Sequence, residues 1–101
     1  MQTNVTTTDG RAVVKLQGRF DFNSHREFRE CVDGVLQQAD VREVVVDLGG
    51  VEYLDSSALG MLLMLRDKAR GTSKEVVLAN CKGAVKQVLD IANFGKLFAI
   101  S

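Results

Sequence analysis

Residues 43–66 read EVVVDLGGVEYLDSSALGMLLMLR, and this stretch decides the fold. The β-branched apolar run over Glu43–Leu48 predicts a strand, the glycine pair at 49–50 predicts a turn, and the apolar residues that follow Ser57 predict a helix. The strand is so continuously apolar that we expect both of its faces to be covered, as is usual for parallel strands. The stretch therefore predicts a strand, a loop and a helix within an α/β domain.

The predicted helix has apolar side chains on almost every side, whereas a surface helix shows a one-sided apolar stripe. These side chains are Leu59, Met61, Leu62, Leu63, Met64 and Leu65. We therefore expect the helix to be buried. Asp55, Ser56 and Ser57 form the only polar cluster between the strand and the helix, so a functional site is expected there.

Length and charge limit the classes of function that the chain can serve. Its 101 residues suffice for one core, so we expect a single domain over residues 1–101. Thirteen basic and thirteen acidic side chains cancel, and no basic run is long enough to follow a phosphate backbone, which argues against nucleic acid as a partner. The sequence has no basic leader and no apolar run of about 20 residues, so we expect a cytoplasmic protein without a membrane partner.

The two cysteines lie in different sequence contexts and belong to no Cys-x-x-Cys or Cys/His cluster. Free buried thiols are the simplest interpretation of Cys31 and Cys81, and a disulfide or a metal site are the less favoured alternatives. We accordingly expect no metal and no cofactor.

The rest of the chain predicts further strands and helices in the order β-β-α-β-α-β-α-β. Asp9-Gly10 predicts a type I′ turn between the first two strands, and Ser24 with Glu27 forms a capping-box pattern at the start of a helix. The later elements are a strand over Glu75–Ala79, a helix after Cys81 and a short last strand over Leu97–Ile100. We expect a mixed, mostly parallel sheet of about five strands with helices packed on one or both faces.

The connection between the second and third strands brings two loops together. A helix joins these strands, so they should be parallel, and the carboxyl ends of parallel strands fall on the same edge of a sheet. The loop with Asp21 and the loop with Asp55 and Ser56 should therefore emerge side by side. Sites in such sheets usually lie at this edge.

Three roles are open to a serine at the start of the predicted helix. It could cap the helix, because a side-chain oxygen there satisfies a free backbone N–H. Ser56 could be a nucleophile, but the only histidine, His25, has no orienting carboxylate and there is no Gly-x-Ser-x-Gly elbow, so we expect no catalytic residue and no enzyme. It could also be a regulatory phosphoacceptor, because a helix N-terminus tolerates a phosphate.

Three segments of the chain resemble the signature of STAS domains, and specifically that of the single-domain anti-sigma factor antagonists of bacteria. The similar segments are Val44–Leu48, Val51–Gly60 and Gly18–Asp21, the last resembling the family's Gly-x-hydrophobic-Asp step before the first helix. The resemblance covers nearly the whole chain and implies the STAS fold.

The chain departs from the family in two respects. Ala58 stands where the family usually has glycine. Many members continue into a C-terminal helix, whereas this sequence ends at Ser101, so the last strand or a neighbouring helix should be less covered.

The resemblance implies a binding protein that is controlled by phosphorylation. Ser56 matches the serine that is phosphorylated in the family by a serine kinase with the histidine-kinase-like ATPase fold, which is itself the anti-sigma factor. The unphosphorylated domain would bind that kinase and free its sigma factor, and a PP2C-type phosphatase would reset the switch. Asp21 matches a family acidic residue at the same edge, so the implied partner-binding residues are Asp21, Asp55, Ser56 and Ser57.

Two other functions stay open on the residues alone. The chain could be an unswitched STAS module that serves as a constitutive scaffold or as a subunit of a larger assembly such as a transporter. It could also regulate a different output, such as secretion or signalling enzymes. Nothing in the residues separates these outputs.

Overall fold

The computed structural model describes all 101 residues and shows the element order that the sequence predicts. The elements are β1 (Gln2–Thr8), β2 (Arg11–Phe20), α1 (His25–Leu36), β3 (Glu43–Leu54), α2 (Ser56–Gly71), β4 (Glu75–Ala79), α3 (Gly83–Ile91) and β5 (Ala99–Ile100). Two short 3₁₀ turns, Phe22–Ser24 and Phe94–Lys96, precede α1 and β5. The expectation of an α/β domain with about five strands is confirmed.

The strands form one mixed sheet in the order β1-β2-β3-β4-β5. β1 is antiparallel to β2, and the other three pairs are parallel. Asp9 and Gly10 form the two-residue turn of the β1–β2 hairpin with φ values of 52° and 79°, both in the left-handed region that a type I′ turn requires. The predicted hairpin is therefore confirmed.

One face of the sheet is buried and the other is partly open. Along β2 and β3, alternate side chains such as Val14 and Val46 are fully buried, whereas Lys15 is exposed and Val45 is half-buried. The expectation that both faces of β3 are covered is therefore wrong. Val45 is half-buried without a helix above it because it lies in register between the valines of the two neighbouring strands, which shield it. Right-handed crossovers between strands that are added in sequence order place the connecting helices on one face of the sheet. The other face is then left without a helical layer.

The predicted turn at Gly49–Gly50 is absent, and β3 continues through both glycines to Leu54. The β2–β3 register shifts between Lys15 and Gln17, where β3 has one extra residue, so the strand carries a bulge. A Cβ added at Gly50 would lie 2.8 Å from Gln17 Cγ and 3.0 Å from the Leu16 carbonyl oxygen. The glycine is therefore explained by the close approach of β2 rather than by a turn.

Helix α2 is buried along one side only. Ala58, Met61, Leu62, Leu65 and Ala69 are buried, whereas Leu59, Leu63 and Met64 on other sides are half-buried. The expectation of a wholly buried helix is therefore wrong, because a domain of one sheet and one helical layer has no third layer to cover the outer side of α2. Met64 lines a surface depression together with Ser57.

Two interior features concern lysine and cysteine. Lys74 is buried and its Nζ donates to the carbonyl oxygens of Gln38 and Val41, at 2.9 and 2.7 Å, which links the residue before β4 to the connection between α1 and β3. Both cysteines are free thiols, as predicted, although Cys31 is only half-buried. Desolvation raises the pKa of each thiol.

No helix is long and apolar enough to span a bilayer.

Candidate functional site

The carboxyl ends of β2 and β3 lie side by side and place two aspartates next to each other. Phe20, the last residue of β2, is the register partner of Leu54, the last residue of β3. The Asp55 backbone N–H donates to the Phe20 carbonyl oxygen at 3.4 Å. Asp21 and Asp55 are the next residues of the two strands, so the structure brings the two loops to one edge of the sheet.

Asp55 caps helix α2. Its backbone is extended, and its Oδ1 accepts a hydrogen bond from the Ala58 backbone N–H at 3.0 Å. The first intrahelical bond runs from the Leu59 N–H to the Asp55 carbonyl oxygen at 3.2 Å. The helix therefore begins at Ser56, one residue earlier than predicted. The interpretation of a serine as the cap is wrong, because the aspartate already fills that role.

Ser56 is exposed and Ser57 is half-buried in the first turn of α2. With the third N–H of the helix bonded to Asp55, the backbone N–H groups of Ser56 and Ser57 are the ones that have no partner within the helix. The Ser56 hydroxyl is therefore accessible and lies next to free donors at the positive end of the helix dipole.

Asp21 makes the equivalent cap at the end of β2. Its Oδ1 accepts from the Asn23 backbone N–H at 3.0 Å. The Ser24 hydroxyl in turn donates to the Arg19 carbonyl oxygen at 2.9 Å and accepts from the Asp21 N–H at 3.3 Å. The predicted capping box of Ser24 with Glu27 is wrong, because the Ser24 side chain turns back to β2 and makes no cap bond to α1.

An arginine that the sequence did not single out completes this edge. The Arg19 Nε lies 3.6 Å from Asp21 Oδ2, and its guanidinium carbon lies 4.5 Å from the centre of the Tyr53 ring. Arg19 and Tyr53 are register partners on β2 and β3. The alternation of β2 could have identified Arg19, since it follows the exposed residues Lys15 and Gln17 on the open face.

An apolar depression adjoins Ser57, and we call it the Phe22 patch. Its lining residues are Phe22, His25, Ser57, Gly60, Met61 and Met64. The Phe22 side chain is 73% exposed, which is unusual for an aromatic residue without a partner. His25 is exposed at the first position of α1, and no hydrogen bond joins it to either serine. The edge therefore combines two carboxylates, an exposed hydroxyl and an apolar surface, which suits binding.

Comparison with known proteins identifies the family. The family model described as "Mlab, STAS domain" matches residues 3–99. The chain belongs to the STAS-domain family. A STAS-domain containing protein of Pseudomonas aeruginosa (strain UCBPP-PA14) is 47% identical over 100 residues, which cover 98% of this chain and 97% of that protein.

More distant proteins match this chain over most of its length. An anti-sigma F factor antagonist of Paenibacillus polymyxa is 24% identical over 90% of this chain and 78% of its own length. The Bacillus cell fate determinant SpoIIAA in its phosphorylated form matches with a TM-score of 0.75 and 17% identity over 99% of this chain and 91% of that chain. The family and the fold that the sequence resemblance implied are thus confirmed.

Proposed function

We propose that this STAS domain is an anti-sigma factor antagonist whose binding is controlled by phosphorylation of Ser56. The unphosphorylated form binds a serine-kinase anti-sigma factor with the histidine-kinase-like ATPase fold, phosphorylation releases it, and a PP2C-type phosphatase restores binding. The observation that carries this proposal is that Asp55, and not Ser56, caps the start of α2. Asp55 caps the helix, and the exposed Ser56 hydroxyl is left without a structural task.

The first turn of α2 can accept a phosphate without unfolding. The backbone N–H groups of Ser56 and Ser57 are free of intrahelical bonds, and the helix dipole favours an anion at this end. The Asp55 carboxylate opposes the phosphate, but Ser56 is exposed and solvent screens that repulsion. The domain should therefore stay folded in both states, and the change should be confined to its surface.

That surface change supports the release of a partner. A phosphoserine adds about two negative charges near pH 7 beside the carboxylates of Asp55 and Asp21. A partner seated on this edge and on the Phe22 patch would have to desolvate the phosphate and approach three acidic groups. Both effects weaken binding, and like-charge contacts at an interface cost several kcal/mol.

The relatives support the same proposal. One is an anti-sigma F factor antagonist, and SpoIIAA, which shares the fold, has been determined in a phosphorylated form. Catalysis by Ser56 is the weaker alternative, because His25 lies beside Ser57 in the Phe22 patch and makes no hydrogen bond to Ser56. We therefore assign binding rather than turnover to this edge.

Mass spectrometry of the protein isolated from its own cells tests the phosphoacceptor directly. We expect one added phosphate on Ser56 in a fraction of molecules that varies with growth condition. The kinase captured with the Ser56→Ala variant then serves as the partner for titrations. We expect Ser56→Ala to bind as the unphosphorylated wild type does, and Ser56→Asp to bind at least about 10-fold more weakly, equivalent to about 1.4 kcal/mol.

Ser73→Asp is the matched control for the charge. Ser73 is exposed at the opposite end of α2, in a left-handed conformation with φ of 58° that aspartate tolerates. It should bind like the wild type. Equal binding by Ser56→Asp and the wild type, together with no phosphate under any condition, would contradict the proposal and favour a constitutive STAS scaffold.

A further inference from the structure

Strand β1 forms an unprotected edge of the sheet. It runs over the seven residues Gln2–Thr8, pairs with β2 on one side only, and all of its residues are exposed. Its outer side therefore presents a row of backbone N–H and carbonyl groups to solvent. The opposite edge is different, since β5 has only two residues and is too short to support much pairing.

Proteins usually protect an edge strand with a lysine, a proline, a bulge or an inward charge. β1 reads QTNVTTT and has no charged residue and no proline. Its pairing with β2 is regular through seven consecutive register partners, so no bulge twists the edge away. The threonines and the valine are β-branched residues, which favour strand pairing. The β1 edge therefore lacks the features that prevent strand pairing and carries residues that favour it.

The sequence of β1 also suits pairing with an identical strand. A two-fold axis perpendicular to the sheet makes two copies antiparallel and keeps both helical layers on the same face. An axis through Val5 pairs all seven residues, with Gln2 opposite Thr8 and Thr3 opposite Thr7 of the second copy. Val5, the only apolar side chain of the strand and 40% exposed, then meets its own counterpart.

We propose that two copies of this chain pair through β1 and form a continuous ten-stranded sheet. Because Thr8 and Arg11 flank the two-residue turn as a hydrogen-bonded pair, the outward backbone groups of β1 belong to Thr3, Val5 and Thr7. The pairing therefore adds up to about six backbone hydrogen bonds, opposes threonine with threonine and covers Val5 on the axis. The edge that carries Ser56 lies at the ends of β2 and β3, so each copy keeps its own site open. The dimer is independent of phosphorylation.

Sedimentation equilibrium from about 10 µM to about 500 µM tests the dimer. The wild type should shift from 11.1 kDa toward twice that mass as its concentration rises. Val5→Lys opposes two like charges on the axis and should weaken association at least 10-fold. Ile91→Lys is the matched control, because Ile91 is 83% exposed on α3, away from the edge, and this variant should associate like the wild type.

Charge reversal separates loss of pairing from loss of folding. Val5→Lys and Val5→Glu should each be monomeric and folded by circular dichroism, and an equal mixture of the two should regain the dimer mass. A wild type that stays at 11.1 kDa at every concentration would overturn the proposal. A dimer that Val5→Lys leaves intact would also overturn it, since association would then use another surface.

Cysteine variants test the register. Val5→Cys should form a disulfide between copies in air, because directly opposed residues of an antiparallel pair have Cα atoms about 4.5–5.5 Å apart, within disulfide range. Thr8→Cys should not, since its opposite residue is Gln2 of the second copy. Equal cross-linking of the two variants would contradict an axis at Val5.

Discussion

The two strand-to-helix junctions at the candidate site, β2 to α1 and β3 to α2, have the same architecture but use serine in opposite ways. At the first, β2 ends at Phe20 and Asp21 caps the following 3₁₀ turn; at the second, β3 ends at Leu54 and Asp55 caps α2. Both aspartates are extended, with ψ of −169° and −175°. The serine of the first junction, Ser24, is buried and bonded to two backbone groups, whereas Ser56 at the second is exposed.

The difference shows how a cap residue determines what its neighbouring serine can do. At both junctions the aspartate satisfies a helical N–H, so neither serine is required as a cap. Ser24 is nevertheless fixed, because its hydroxyl joins the Arg19 carbonyl to the Asp21 N–H beneath the turn. The Ser56 side chain makes no such hydrogen bonds and is exposed to solvent. The two serines therefore differ in exposure and in free hydrogen-bonding capacity, although they are the same residue type.

The largest expected effect on stability is that of removing the buried hydroxyl. Ser24→Ala leaves the Arg19 carbonyl and the Asp21 N–H, both in part-buried hydrogen bonds, without their partner, so we expect a loss of about 1–3 kcal/mol in the free energy of unfolding. Ser56→Ala removes the same atom at an exposed site and should change it by less than about 0.5 kcal/mol. Urea denaturation followed by circular dichroism measures both values.

Equal effects of the two alanine variants would break this comparison. A strong destabilisation by Ser56→Ala would mean that its hydroxyl has a structural role, and the argument for a free phosphoacceptor would lose its basis. Ser73→Ala serves as a reference for an exposed serine outside both junctions.

Much of this site could be predicted from the sequence, because parallel strands fix where loops emerge. Once β2 and β3 are joined by a helix, Asp21 and Asp55 must lie at one edge. The choice of cap could not be predicted, since aspartate and serine are almost equal as caps and one residue's backbone conformation decides between them. The role of Ser24 could not be predicted either, because its hydroxyl donates to the Arg19 carbonyl oxygen of β2, which lies outside the local helix-start pattern.

The order of strands and helices along the chain could be predicted from the sequence, but the coverage of the two faces of the sheet could not. A run such as Val44–Val46 indicates a strand, yet it does not reveal whether a helix or neighbouring valines cover the second face. The bulge at Gly50 likewise depends on the approach of Gln17, which is 33 residues away in the chain. Such contacts between distant residues are invisible to a local pattern.

The next largest effect separates the two aspartates as caps. Asp55→Ala removes the cap of a 16-residue helix and should lower the free energy of unfolding by about 1 kcal/mol. Asp21→Ala removes the cap of a three-residue turn and should cost about half as much. Asp55→Asn is the control, since asparagine caps as well as aspartate and should restore wild-type stability. A greater loss for Asp21→Ala would show that the first junction supports the fold more than the second.

The smallest effect concerns Arg19, which has no counterpart at the second junction. Its guanidinium lies over Tyr53 and faces Asp21, but it is largely exposed, so screening limits both interactions. We expect Arg19→Gln to lower the free energy of unfolding by about 0.5 kcal/mol. A double-mutant cycle with Tyr53→Leu should give a coupling of similar size, because the cation and the ring act as a pair.

A coupling near zero would leave Arg19 free of Tyr53 and would assign its small effect to Asp21 alone. The same cycle in high salt sharpens the distinction, since salt screens an exposed ion pair. If the coupling with Tyr53 persists in high salt while the effect of Arg19→Gln in the background that retains Asp21 falls, then the ring supplies the salt-insensitive part of the stabilisation and the carboxylate the screened part. The first junction would then be stabilised by Tyr53 of β3 as well as by its own turn. The second junction has the Asp55 cap and the backbone bond from Asp55 to Phe20, and neither of these uses the Ser56 hydroxyl.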